Sequence, residues 1–396
     1  MDKSILNSIR GISAKAIEEW GRGWEESQAS YPVDGIYFLA DEYLRDVAEV
    51  TRLRAEARPD FFESGTKMRS NEALSRLAWH CHWLLHVAKP DERKGVPFYS
   101  TDASSRAPEG CTFFMGIVIM AELPKLKAFY QTHGIPKEIL SDTMTSFDVW
   151  TEDYHDHKGV WGCDHVWVCR GLEPNLFRLG RLEFQFGEFK SDYKMFRRKG
   201  TDELVILAPD GAKITPDGYV CQKDETPAFT ASFKDFGYAF MGYPVAQNGT
   251  ISRSPVNLGA SDWEPAFVNG DPMINVHIPA AAPLEADLTT RSFGIAREFF
   301  AKYFPLFKYK GFQCSSWLLD SSLPAFISPD SNIARFQRNF RLFPHPEGTE
   351  WQTRERVFGD PDLPLDKVPQ RTSLQRIVKT QMLAGHRFRT GSAISL

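Results

Sequence analysis

The spacing of apolar residues changes once along this 396-residue chain, and that change limits the possible folds more than any other feature. Up to about residue 150, apolar side chains recur at intervals of three and four, the pattern of helices that bury one stripe. NEALSRLAWHCHWLLHVA and GCTFFMGIVIMAELPKLKAFYQTHG both carry it, and Pro and Gly mark the joins. TEDYHDHKGVWGCDH then reads as a linker, and after it the interval falls to two, the period of strands. The expected class is α/β (α+β), with a helical N-terminal domain over 1–150, a mixed-sheet domain over 151–345 and a C-terminal helical extension over 346–396.

The alternation is clearest in FRLGRLEFQF, Phe177 to Phe186, where Leu182, Phe184 and Phe186 share one face and Arg181, Glu183 and Gln185 the other. MINVHIP repeats the arrangement, with Ile274, Val276 and Ile278 against Asn275 and His277. Between these stretches, residues 188–270 carry the turn sequences APDG, TPDG and QNG, which predict a hairpin-rich insertion. Beyond Met273 the order is strand, loop, helix, strand, helix. The first helix is EADLTTRSFGIAREFFAKYF, with an expected stripe of Leu288, Ile295, Phe299 and Tyr303. In the second, SPDSNIARFQRNF, Ser328 is the expected N-cap. Thr372 and Gln375 have capping-box spacing in the tail, and Gly385 is the expected stop.

Charge narrows the range of partners. Forty-seven Lys and Arg against 51 Asp and Glu give a formal charge of -4, with no sequence-wide basic excess for nucleic acid or an anionic membrane. The most apolar run, Cys111 to Leu123, is shorter than the ~20 residues of a membrane span. Six cysteines without a CxxC pair fit reduced thiols, and no signal-peptide core opens the chain. The expectation is a cytoplasmic protein with a small-molecule partner.

Known chemical motifs are mostly missing. HWLLH sets His82 and His86 one helical turn apart, but a zinc protease needs Glu where this chain has Trp83. His155, His157, Cys163 and His165 follow no established ligand spacing, so no metal is expected. Neither GxSxG, GxxxxGK nor GxGxxG occurs. The two polar strand faces remain. Side by side they would line a cleft in which Glu183 or His277 could act as general base, next to a loop and helix N-terminus suited to an anion. Cys314 and Ser316 share a face of the next strand, where an inert buried thiol is favoured over a nucleophile.

LFRLGRLEFQ, DPMINVHIP, CSSWLLD, DSNIARFQRNF and TSLQRIV followed by LAG occur in an order that resembles bacterial acyltransferase-domain-containing proteins. These pair a helical N-acyltransferase N-terminal domain with a GNAT-like (GCN5-related N-acetyltransferase-like) C-terminal domain. The resemblance covers about 155 to 391. It implies an acyltransferase that uses acyl-CoA as co-substrate, with an amine or hydroxyl of a small molecule as acceptor. Its pyrophosphate would lie on the loop containing Pro279, Ala280, Ala281, Ala282 and Leu284, and its pantetheine between two splayed strands. Glu183 and His277 would be catalytic. Arg178 or Arg181 would hold an anionic group, with Gln185 and Asn275 beside the substrate and Ser316, Trp317 and Asn332 completing its surroundings. A GNAT-shaped binding module, or a hydrolase or isomerase in the same cleft, is the alternative.

Overall fold

The computed structural model describes residues 3–88, 103–280 and 282–396. The chain divides into two compact units, residues 1–179 with 279–281, and residues 180–278 with 282–396.

The first unit is largely helical, as the spacing of its apolar residues predicts. Every residue of the helix Phe114–Met120 is buried. Phe113 and Phe147 meet Phe61 edge to face, with ring centroids 5.3 and 6.0 Å away. The helix Ser146–Lys158 runs through half of the expected linker before Gly159, at φ 72°, ends it. Thr151 explains how the polar run stays helical: it is buried, and its hydroxyl donates to the carbonyl of Phe147 one turn back. Among the described residues no helix is long and apolar enough to cross a membrane.

In the second unit, five strands of the main sheet are β1 (Leu182–Glu188), β2 (Pro272–His277), β3 (Phe312–Ser316), β4 (Arg341–Pro344) and β5 (Gly391–Ser395). Their spatial order is β1-β2-β3-β5-β4. Only β2 and β3 pair in parallel; the other neighbours are antiparallel. A parallel pair needs a crossover, which the helix Ala286–Tyr303 supplies.

That helix covers the apolar face of the sheet. Phe184 meets Phe293 at 5.7 Å and Phe186 meets Phe300 at 5.4 Å. Its buried stripe is Thr289, Ser292, Phe293, Ala296, Phe299 and Phe300, rotated from the expected one, and Leu288 is exposed. The rotation buries two hydroxyls already satisfied within the helix, through Ala286 O and Leu288 O. Ser292 Oγ also accepts from the amide of Arg181 at 2.8 Å, which ties β1 to the helix.

The insertion forms short antiparallel pairs, among them Lys194–Arg198 with Leu204–Leu207 and Ala239–Gly242 with Val256–Gly259. Gly211 and Gly218 take the positive φ angles their turns require. The cluster of Tyr193, Met195 and Ile206 packs on Met273, Phe343 and Ile394, so it covers one end of the polar side of the sheet.

The expected second helix is shorter, Asn332–Gln337, and its cap is Ser331, whose hydroxyl accepts from Ala334 N. Ser328 instead accepts from Asp330 N in the preceding turn. The Thr372–Gln375 capping box and the Gly385 stop are both present. The tail then re-enters the sheet as β5, where a helical extension alone was expected.

Candidate active site

β1 and β2 run antiparallel, with Glu183 opposite His277 and Gln185 opposite Asn275. With Phe184 and Phe186 turned to the helix, strand geometry sends these four polar residues to the other side. Parallel pairing of Ile274 with Phe312 and Asn275 with Gln313 adds Gln313 and Ser315 of β3 to this face. Ser315 opposite Ser392 adds β5.

Hydrogen bonds tie the face together. Gln313 Nε2 donates to Asn275 Oδ1 at 2.7 Å and to Glu188 O at 3.0 Å. The hydroxyls of Ser315 and Ser392 lie 3.1 Å apart. His277 Nε2 donates to Gln185 Oε1 at 3.0 Å, so in a neutral ring the lone pair is on Nδ1. That tautomer is the form able to accept a proton from a reacting group.

A cavity of about 630 Å³ opens over this face. Asn275, His277, Gln313, Ser315, Ser392 and His345 line it, with Glu188, Lys190 and Asp192 further along the wall. Its size is in the usual range for small-molecule sites. β2 and β3 register at two positions, Ile274 with Phe312 and Asn275 with Gln313, both at the start of β3. The sheet therefore parts beside the cavity wall.

His277 and Asn275 reach the cavity wall, while Glu183 and Gln185 are buried beneath it, with Glu183 only 2% exposed. Arg181 binds the chain itself: Nε donates to Pro283 O at 3.0 Å and Nη2 to Ala282 O, so it pins the loop before the long helix. Arg178 belongs to the first unit, where Nη1 donates to Thr145 Oγ1 at 2.8 Å.

Ser316 is on the opposite face, and its hydroxyl accepts from Leu318 N. Trp317 packs in an apolar cluster with Leu323, Val357 and Phe388. Asn332 is exposed at the start of its helix. In the loop, Ala282 is exposed and Leu284 buried, Pro279 and Ala280 group with the first unit, and Ala281 lies outside the described residues. Burial pushes the Cys314 thiol up to about 12, which leaves it protonated and inert at neutral pH.

Four lining residues had no sequence signal: Gln313, Ser315, His345 and Ser392. Burial lowers the His345 pKa, which favours its neutral form. Along the stretch that reads as a linker, His155 stacks on Trp161 at 3.9 Å and His165 on Trp150 at 3.3 Å.

This chain is similar to solved acyltransferase structures along its whole length. One is an acyltransferase mutant in complex with octanoyl-CoA, 21% identical with a TM-score of 0.65. A second is an acyltransferase with decanoyl-CoA and teicoplanin, 22% identical with a TM-score of 0.64. A third holds CoA and 10C-teicoplanin at 21% identity and 0.64. Each likeness covers 100% of this chain and 99% of the other. No curated protein matches the sequence. The family model of the GNAT-like C-terminal domain matches residues 176–394, and that of the N-acyltransferase N-terminal domain matches residues 42–172. The chain thus belongs to the family in which an N-acyltransferase N-terminal domain precedes a GNAT-like C-terminal domain.

Proposed function

We propose that this protein is an acyltransferase that moves an acyl group from acyl-CoA to an amine or hydroxyl of a small molecule. The observation that carries the reading is the parting of β2 from β3 beside the polar cavity. A pantetheine arm is extended and rich in amides, so the groove between two parting strands suits it. Membership of the family supports the same reaction, and the similar acyltransferases were solved with octanoyl-, decanoyl- or free CoA. Two of those structures also hold teicoplanin or 10C-teicoplanin, which favours a small-molecule acceptor and a medium-length acyl chain here.

In this mechanism the acceptor nitrogen or oxygen attacks the thioester carbonyl carbon, its proton passes to His277 Nδ1, and the C–S bond breaks to release the CoA thiolate. The imidazolium then gives that proton to the thiolate, which completes the transfer and restores the neutral base. Gln185 is a positioning residue that holds the productive tautomer through Nε2. Glu183 pairs opposite His277 and is buried beneath the cavity wall, where its side chain packs beside the base. The amides at Ala282 and Leu284, just before the helix Ala286–Tyr303, would receive the pyrophosphate, with Arg181 fixing that backbone through two carbonyls.

The test is thiol release from octanoyl-CoA in the presence of a panel of small primary amines and alcohols. His277→Ala should lower kcat by ~10² or more while leaving the urea midpoint unchanged. An unaltered rate in a folded variant would assign the proton transfer to another group.

A further inference from the structure

The helix Glu72–His82 passes into a π-turn, Trp83–Val87, which brings the rings of His82 and His86 to 5.0 Å between centroids. Glu122, the residue before the helix Leu123–Thr132, lies against them. One donor atom from each of the three side chains falls within 4.8 Å of the others, the one such group among the described residues.

Two features of the histidines bear on what occupies this cluster. His86 Nε2 donates to the carbonyl of Val118 at 3.4 Å, a contact that puts the ring proton on Nε2 and the lone pair on Nδ1. Nδ1 lies 3.8 Å from Glu122 Oε1, too long for a hydrogen bond. It is close to the ~3.4 Å expected between two donors that each sit ~2.1 Å from one tetrahedral ion. A backbone carbonyl that accepts from the far nitrogen is the usual support of a metal-bound imidazole. His82 is 5% exposed among Phe38, Trp79 and Tyr37, and among the described residues its Nδ1 has no hydrogen-bond partner. Water or an ion can satisfy a buried ring nitrogen of this kind.

We propose that His82, His86 and Glu122 bind one zinc ion, with water in a fourth position. Two imidazoles and one carboxylate suit zinc better than calcium or magnesium, which take oxygen donors. Lys125 competes for the carboxylate: its Nζ lies 3.0 and 2.8 Å from the two oxygens of Glu122. Its side chain is 71% exposed, so it can move into solvent when the ion binds.

The experiment strips the full-length protein with chelator, exposes it to zinc sulfate, removes free metal by gel filtration and measures zinc by mass spectrometry. The expected content is ~1 zinc per chain, with affinity weakened more than ~tenfold in Glu122→Gln and His86→Asn and tightened in Lys125→Gln. Cobalt in place of zinc should give a visible absorption band that Glu122→Gln abolishes. Retention of much less than one zinc per chain, or equal affinity in wild type and a folded Glu122→Gln, overturns the proposal. If His82→Asn fails to fold, the substitutions at Glu122 and Lys125, which are not buried, still decide.

Discussion

Replacing Gln185 with Glu tests the assignment of the catalytic base without removing any of its atoms. The new carboxylate would face His277 Nε2 at the 3.0 Å now taken by the amide oxygen. Two unit charges at that distance attract by ~5 kcal/mol at an effective dielectric of ~20. Gln185 is 8% exposed, so much of that attraction is offset by desolvating the new carboxylate. A net preference of about 1.4 to 2.7 kcal/mol for the imidazolium is left, equal to ~1 to 2 pH units. Because the base must be neutral to act, the acid limb of kcat/KM should move to higher pH by that amount. Above the limb, the plateau should stay within ~tenfold of wild type, since a more basic imidazole accepts protons more readily. Thiol release from octanoyl-CoA, followed from pH 5 to 9.5, measures both. An unmoved limb with a uniform fall in rate would refute the idea that Gln185 holds the base, and with it the role of His277 Nδ1.

Other expectations follow from burial and close packing. Burial lowers the pKa of His80 and His82 from 6.5 to about 4, so the unfolded chain takes up protons that the folded one refuses. Stability should be full above pH 6.5 and fall as the pH drops, by up to about 2 kcal/mol per histidine between pH 6.5 and 5. Urea midpoints of the first unit, measured in chelator, check this, and a flat profile over that interval contradicts it. Gly391→Ala would drive its methyl group into Leu319 O and bring it to 2.5 Å from Leu319 C, backbone atoms that cannot move aside cheaply. A loss of ~1 to 3 kcal/mol or more is expected in urea unfolding, and an unchanged midpoint would mean β5 does not pack as described. Alkylating reagents should leave Cys314 untouched in the folded protein, and Cys314→Ser should keep its turnover, as checked by mass spectrometry and thiol release.

Much of this architecture was legible because it rests on local periodicity. Alternation in FRLGRLEFQF and MINVHIP sorted the two faces correctly, and the turn glycines and the Thr372–Gln375 box are signals complete within a few residues. β5 was not legible. Gly-Ser-Ala-Ile-Ser has little strand propensity of its own and is extended because β3 and β4 flank it on both sides. Ser392 and Ser315 reach the cavity through that tertiary pairing, which no single-strand pattern reveals. The helix stripe was misplaced for a similar reason: Thr289 and Ser292 look solvent-facing by polarity, yet their hydroxyls are satisfied within the helix. Arg181 read as an anion contact because its carbonyl partners lie about a hundred residues away, at Ala282 and Pro283. Glu122 likewise joins His82 and His86 only through folding.

Calorimetric titration of the full-length protein with octanoyl-CoA bears most directly on the central claim, that the opening between β2 and β3 holds an acyl-CoA beside His277. The account predicts a saturable isotherm with ~1 ligand per chain, weaker for free CoA because the acyl chain adds apolar burial. Absence of binding at millimolar octanoyl-CoA, with the protein shown to be folded, would contradict it.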